Sequence, residues 1–351
     1  MSRGVAGMVD ARSGDERPIR VGLIGASGHF GKALTAIAAS NRAVLAGAAR
    51  AHDGEPWDAV RKHPAFTQDT GEFSSPEELL DRGFLDAVIV NPPYGWNARW
   101  AIAAVERGVA VYCEKPLATT FDDLERLKAA ARRSGVPLVA MYEFRTDPVV
   151  RAAARAVREG RIGAPRLAFG QKSYKFGPER RPAWYNDRSM YGGTIPWVAI
   201  HAIDWTRYIA GKEFRAVSAV QYRYGKAPLA DVEAAGSIQL EGEEFAAVVT
   251  FDYLRPAGAK THGNDRFRIV GDRGEITGSV PDRRIELCTD AGVEALPLEE
   301  GPSLFEALID ALASGSAPPM TAEDAIRSTE VALWARQAAD ERRRIEMPAG
   351  A

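Results

Sequence analysis

Lys115 follows Glu114 and precedes Pro116 at the end of a short apolar run, Val109-Ala110-Val111-Tyr112-Cys113. Such a run reads as a buried strand, and the carboxyl edge of a parallel sheet is where ligands bind. A lysine delivered there and pinned by a proline can donate a hydrogen bond or a proton to a ligand oxygen. Alone, it reads more readily as a solvated loop lysine. Two further motifs give it weight: a glycine-rich turn upstream and His201-Ala202-Ile203-Asp204 downstream.

The turn is Gly25-Ala26-Ser27-Gly28-His29-Phe30-Gly31, between the apolar run Arg20–Ile24 and an alanine-rich segment with helical spacing. Glycine permits a sharp turn and close approach of backbone to a pyrophosphate, and a helix N-terminus adds free N–H groups and a positive dipole end. The spacing is Gly-x-x-Gly-x-x-Gly, not the commoner Gly-x-Gly-x-x-Gly, and a tight turn with no ligand is the alternative. An acidic residue at the end of the next strand would hold the ribose hydroxyls of NAD. Ala48-Ala49-Arg50 stands there instead, with Asp53 three residues on. Arginine matches a 2′-phosphate, so Arg50 predicts NADP over NAD; otherwise Arg50 is a surface charge and Asp53 takes the ribose.

The elements that must position these residues alternate. Strands are expected at Arg20–Ile24, Val44–Ala49, Asp86–Val90, Val109–Cys113 and Pro137–Tyr142. Helices are expected at Lys32–Ser40, from Pro76 after a Ser74 or Ser75 cap, at Trp96–Arg107 and at Thr120–Ser134. That alternation predicts an α/β fold with an N-terminal Rossmann domain, a doubly wound parallel sheet, over residues 18–143. After a helix at Pro148–Glu159 the pattern changes to longer strands: Arg166–Lys175, Ala216–Tyr224, Gly236–Leu240, Phe245–Tyr253, Phe267–Val270 and Arg284–Cys288. Hairpin-like turns separate them, and helices near Ser303–Ser314 and Ala322–Arg344 finish the chain. Residues 144–351 are thus expected to form a second α/β domain with an open, mostly antiparallel sheet.

Composition narrows the function classes. The 351-residue chain has a net charge of -2, which gives no case for nucleic acid or an anionic membrane as partner. No apolar run is long enough to span a bilayer. Residues 1–17 read as a polar, disordered tail rather than a secretory signal. Two cysteines without a Cys/His cluster suggest neither a disulfide framework nor a metal site. A cytoplasmic location is the expectation.

Taken together, the glycine turn, Asp86–Val90 followed by Asn91-Pro92, Cys113-Glu114-Lys115-Pro116-Leu117-Ala118, and Gly192-Gly193 followed by His201-x-x-Asp204 occur in an order that resembles the glucose–fructose oxidoreductase / inositol dehydrogenase / MocA family. The likeness spans roughly residues 18–345. It implies NAD(P)-dependent oxidoreduction of sugars, cyclitols or related small molecules, and a homodimer or homotetramer paired through the C-terminal sheet. It implies that Lys115 hydrogen-bonds the reacting oxygen and that His201 moves that oxygen's proton, a task an imidazole with a near-neutral pKa suits. It places Gly25, Ser27, Gly28, His29, Phe30, Gly31, Asn91, Pro92, Trp96, Glu114 and Lys115 along the cofactor. Asp204 is implied at the substrate edge or as the residue orienting the histidine, with capping of its own helix as the alternative. Two positions depart from the family's pattern. Trp197 stands where polyol-binding members often have an aspartate, four residues before the histidine, and Trp96 stands where a histidine is common. The first puts a lysine–aspartate–histidine relay in doubt.

An aromatic cluster surrounds the histidine: Trp184, Tyr185, Tyr191, Trp197 and Trp205. Indole faces stack on the C–H face of a pyranose or on another ring; core packing is the alternative and is preferred for Trp205. Lys172 and Tyr174 share a strand face. Tyr142 and Arg145 end the last Rossmann strand, where Arg145 could grip a carboxylate or phosphate or form a hinge ion pair. With Trp184, Tyr191, Trp197 and Asp204 these complete the candidate substrate contacts. His262 reads as a loop histidine. Besides the dehydrogenase, two other classes fit the motifs: redox-mediated glycoside elimination with recycled NAD, and a non-catalytic dinucleotide sensor.

Overall fold

The computed structural model describes residues 17–225 and 229–348. Of the tail expected over residues 1–17 only Arg17 falls inside, and its guanidinium makes two 2.9 Å bonds to the Asp86 carboxylate. Six short strands form the first sheet: β1 (Ile19–Ile24), β2 (Ala43–Ala49), β3 (Gly71–Phe73), β4 (Ala87–Val90), β5 (Ala110–Cys113) and β6 (Leu138–Ala140). They lie in the order β3-β2-β1-β4-β5-β6 and every pair is parallel. Strands covered by helices on both faces lose their alternation, and every residue of β4 and β5 is buried. Order reverses between β1 and β4, which opens a crevice beyond their carboxyl ends. The glycine turn leaves β1 there, Asn91 leaves β4, and Glu114-Lys115 leaves β5.

Capping fixes several helix starts as read from sequence. The Ser75 hydroxyl accepts from the Glu78 N–H at 3.1 Å, Thr120 caps the helix Phe121–Ser134, and Gly135 ends that helix in a left-handed conformation. β3 is absent from the sequence reading. Its three residues, Gly71-Glu72-Phe73, carry no apolar run, and it forms only by adding to the edge of β2.

The second sheet contains β7 (Pro165–Ser173), β8 (Phe214–Arg223), β9 (Glu233–Gly242), β10 (Ala246–Asp252), β11 (Arg266–Gly271), β12 (Gly274–Ser279), β13 (Arg284–Thr289), β14 (Gly292–Ala295) and β15 (Ile345–Glu346). Their order is β14-β13-β12-β11-β7-β10-β9-β8-β15. Only β7 and β10 run parallel; the other neighbours are antiparallel. One face is covered by helices and the other exposes Phe169, Val220 and Tyr222. Ala168, Gly170 and Lys172 point to the covered face, opposite Phe169. A Cβ at Gly170 would lie 3.3 Å from atoms of Ala202, Trp205 and Thr206, so glycine seats the helix Ile200–Ala210 directly on β7. That seating brings His201 to the sheet.

A buried ion pair locks this helix to the turn just beyond β6. Arg145, just beyond β6, donates to both Asp204 oxygens at 2.8 and 2.6 Å and also to Asp324. Ser328 donates to Asp204 at 2.6 Å. Arg145 is 5% exposed and Asp204 1%. For Arg145 this is the hinge ion pair named as its alternative, and Asp204 is held from the other side by Ser328. Tyr142 is fully buried, and its hydroxyl meets Thr329 Oγ1 at 3.0 Å and donates to the Ala325 carbonyl at 3.2 Å.

Removing one partner of such a pair leaves a buried charge uncompensated, at a cost of about 3–5 kcal/mol. Asp204→Ala is expected to lower the unfolding free energy measured by guanidinium denaturation by that amount. A loss below ~1 kcal/mol on the same scale would show that the pair is not a structural lock.

Candidate active site

The glycine turn is shaped by close contacts. Gly25 has φ 75°, and a Cβ there would sit 2.8 Å from the Pro92 backbone, so only glycine fits. A Cβ on Gly28 would lie 2.4 Å from a Glu114 oxygen and 2.5 Å from Asn91 Oδ1. At Gly31 a Cβ would meet nothing within 4 Å. Glycines one and two are thus demanded by protein atoms, whereas the third leaves room that a ligand's phosphates can take.

Glu114 ties this turn to the lysine strand. Its fully buried carboxylate accepts from the His29 N–H at 2.8 Å, meets His29 Nδ1 at 2.7 Å, and accepts from the Lys115 N–H at 2.9 Å. Burial alone would raise the Glu114 carboxyl, but the His29 contacts and the Lys115 charge hold it below its ordinary value. Asn97 pins the backbone from below, donating to the Glu114 and Pro116 carbonyls at 2.9 and 2.8 Å. The Lys115–Pro116 peptide is cis. Ser27 N–H donates to the Asn91 carbonyl at 2.7 Å, and Phe30 begins the helix Phe30–Ala38.

Lys115 is buried, and its ammonium group is held by one residue. Nζ donates to the Trp197 carbonyl at 2.8 Å and lies 2.9 Å from the centroid of the Trp197 ring. Trp197 belongs to a wide π-type turn, Ile195–Ala199, that runs into the helix carrying His201. Its indole stacks on Tyr94 at 4.0 Å and 16°, and on His29 at 5.5 Å and 14°. His201 is buried against Phe144, and its Nδ1 has no hydrogen-bond partner among the described residues. Burial pushes both the Lys115 ammonium and the His201 imidazole well below their ordinary pKa values. For His201 the charges of Lys115 and Lys172 add to burial, so the cause is wider than the lysine neighbour alone. A depressed imidazole is neutral at pH 7 and able to accept a proton.

Lys172 lies on the same side. Its fully buried Nζ donates to Asp265 at 2.6 Å and sits 3.8 Å from the Phe144 ring centroid and 4.2 Å from that of Tyr174. Burial draws its pKa down to about 8. Tyr174 in turn stacks on His262. Lys172 and Tyr174 are thus together, as the strand spacing predicts, but spent on Asp265 and on each other rather than facing the open crevice.

A cavity of ≈ 460 Å³ opens between the glycine turn and the second domain, lined by Ser27, Gly28, His29, Tyr94, Arg181, Trp184 and Trp197, among others. Trp184 and Trp197 stand where the aromatic reading puts them. The Tyr191 ring is buried and its hydroxyl meets Thr194 and Tyr253 at 3.0 Å, which is the core-packing alternative for this cluster. Trp96 packs edge-on against His52, beside this cavity.

Three residues here escaped the sequence reading. Tyr94 follows Pro93 and supplies the partner for Trp197. Glu55 is buried, and its carboxylate accepts from the Ala26 and Ala51 N–H groups at 2.8 Å and from Ser27 Oγ at 2.9 Å. It lies six residues beyond β2, where no spacing rule looks. Arg50 is half exposed and loosely held, 3.4 Å from the Glu55 carbonyl and 3.5 Å from Glu72, with its guanidinium over Trp57. Arg181 reaches the cavity from the loop after β7 and carried no motif.

These residues fit a dinucleotide: a helix N-terminus, a turn that tolerates no side chain at its first two glycines, and open space at the third. Comparison with known proteins agrees. Residues 19–142 match the model of the oxidoreductase family with an NAD-binding Rossmann fold, and residues 150–277 match the GFO/IDH/MocA C-terminal domain. A solved Thermotoga maritima chain superposes with TM-score 0.87 at 34% identity, covering 94% of this chain and 100% of that one. The 1,5-anhydro-D-fructose reductase of Ensifer adhaerens is 27% identical over 348 residues, 94% of this chain and 99% of the relative. A levoglucosan dehydrogenase solved with NADH shares the fold at TM-score 0.82 and 22% identity, covering 94% and 99%. With two family domains matched in sequence order and a full-length relative at 34% identity, the chain belongs to the GFO/IDH/MocA family of NAD-binding oxidoreductases.

Proposed function

We propose that this enzyme moves a hydride between a nicotinamide and the carbon of a secondary alcohol or ketone in a carbohydrate-like substrate. The observation that carries the reading is the shared burial of Lys115 and His201, the first directly after Glu114, the glycine turn's partner at the end of β5. The bound nicotinamide supplies or takes up the hydride. Lys115 Nζ exchanges the Trp197 carbonyl for the substrate oxygen and polarises it. His201, neutral at pH 7, takes the hydroxyl proton on oxidation and returns it on reduction. Trp197, Tyr94 and Trp184 exclude water and offer flat faces to a ring. Relatives support the substrate class: they include a 1,5-anhydro-D-fructose reductase, an inositol 2-dehydrogenase and a levoglucosan dehydrogenase.

The cofactor is NAD or NADP, and we infer a preference for NADP from Arg50. Its loose contacts leave the guanidinium able to turn to a 2′-phosphate. Relatives support either choice, since one is named NADP-dependent and another was solved with NADH. The family resemblance and the exposed Val220 and Tyr222 support pairing with a second copy through the outer sheet face. Light scattering is expected to return a multiple of the 38.0 kDa chain mass, and a monomeric mass would end that reading.

Lys115→Ala and His201→Ala are each expected to lower kcat at least ~100-fold while NADPH binding persists; near-normal kcat in His201→Ala removes the histidine from the mechanism. With its pKa depressed, His201 stays neutral below its ordinary value, so the acidic limb of kcat/KM is expected below pH 6.5. Lys172→Met deletes one of the charges that depress it and should move that limb upward. An unmoved limb would mean another group sets it.

For the cofactor, kcat/KM is expected to favour NADP, with Arg50→Ala narrowing the ratio. Use of NAD at least ~10-fold better than NADP, equivalent to 1.4 kcal/mol in the wrong direction, would overturn the preference.

A further inference from the structure

Resting on the reading above, we propose that the substrate carries a carboxylate, gripped by Arg181 across the crevice from the glycine turn. Polyol hydroxyls are donors that a neutral-sugar site commonly meets with free carboxylates. The carboxylates on this side are already engaged. Glu114 is tied to His29 and Lys115, Asp265 to Lys172, and Glu55 to the Ala26 and Ala51 N–H groups and the Ser27 hydroxyl. Asp204 is tied to Arg145 outside the crevice, and Trp197 brings no charge. The cations on this side are Lys115, Lys172 and Arg181.

Arg181 is the member of that set without an anionic partner among the described residues. Its guanidinium makes two long contacts, to the Tyr185 hydroxyl at 3.3 Å and the Phe176 carbonyl at 3.4 Å. It is held over the Phe176 and Tyr185 rings, 5.8 and 5.4 Å from their centroids. Rings on which a guanidinium rests orient its planar fork without consuming its N–H groups. That fork lines the same cavity as Tyr94, Trp184 and Trp197. A sugar acid would lay its ring on the indole faces, its oxidisable hydroxyl toward Lys115, and its carboxylate on the fork of Arg181. The carboxylate takes no part in the redox step; it only orients the ring.

The test compares uronates with their neutral aldoses: D-glucuronate with D-glucose, and D-galacturonate with D-galactose. Each pair differs by a carboxylate in place of a hydroxymethyl group. Calorimetric titration of the enzyme–NADPH complex is expected to give at least one uronate a Kd ~10-fold or more below that of its aldose. Arg181→Met should erase the difference, and Arg181→Lys should restore part of it. Equal or weaker uronate binding in both pairs overturns the proposal, as does a preference that survives Arg181→Met. Loss of NADPH affinity in Arg181→Met, without any uronate preference in the wild type, also overturns it and makes the residue a cofactor phosphate contact. Turnover of neutral sugars without acid preference fails this proposal alone. Absence of NAD(P)-linked turnover on every sugar, acid and cyclitol tried fails the oxidoreductase reading beneath it.

Discussion

The Glu114 carboxylate joins the two halves of the site. It has no exposure to solvent, yet it holds the His29 N–H and ring, the N–H of Lys115, and the surface against which Gly28 packs. A carboxylate buried this deeply is tolerable only because each of those donors and charges offsets its desolvation. The consequence is geometric. The turn after β1 and the lysine after β5 cannot shift independently, although about ninety residues separate them in sequence. The glycine at position 28 follows from the same bond, since any side chain there would displace the carboxylate.

A second lock sets the histidine. Arg145 lies at the end of the first sheet, Asp204 on the helix that carries His201, and Asp324 and Ser328 on the long helix Ala322–Glu341. Three elements therefore meet in one buried ionic knot. Gly170 on β7 completes the seating by letting that helix approach the sheet closely. Lys115 is fixed through Glu114 and His201 through Arg145–Asp204. Neither lock needs a residue that must also touch substrate.

Sequence makes part of this legible, for physical reasons. Buried parallel strands are continuous apolar runs, so β1, β2, β4 and β5 stand out, and serine, threonine and glycine caps mark helix ends. β3, β12, β14 and β15 do not stand out: they are short, edge-proximal or polar, and they form by adding to strands already present. Lys115 and His201 carry motifs at element ends, and Trp184 and Trp197 line one cavity with the glycine turn. For Arg145, Asp204 and Tyr142 the sequence leaves alternatives open, because a polar residue near a strand's carboxyl edge or on a helix can face outward or inward. Only the partner decides, and Asp324, Ser328 and Thr329 lie far along the chain. Glu55 and Arg181 fail for the complementary reason. They come from irregular segments, where no periodicity tells which way a side chain turns.

The exchange of a carboxylate for Trp197 changes the electrostatics of the whole floor. A carboxylate four residues before His201 would neutralise Lys115 and hold both groups nearer their ordinary pKa values. Trp197 offers instead a carbonyl and a ring face, dipole and quadrupole, which orient an ammonium group without cancelling its charge. Lys115 is then destabilised as a cation by burial and in turn depresses His201. Such a pair resists positive charge in the resting site and gains most when negative charge arrives. In the proposed reaction that charge develops on the substrate oxygen at the moment the hydroxyl proton leaves. In that proposed reaction, a tryptophan in place of an aspartate leaves the lysine's interaction strongest with the oxyanion rather than with a resident side chain.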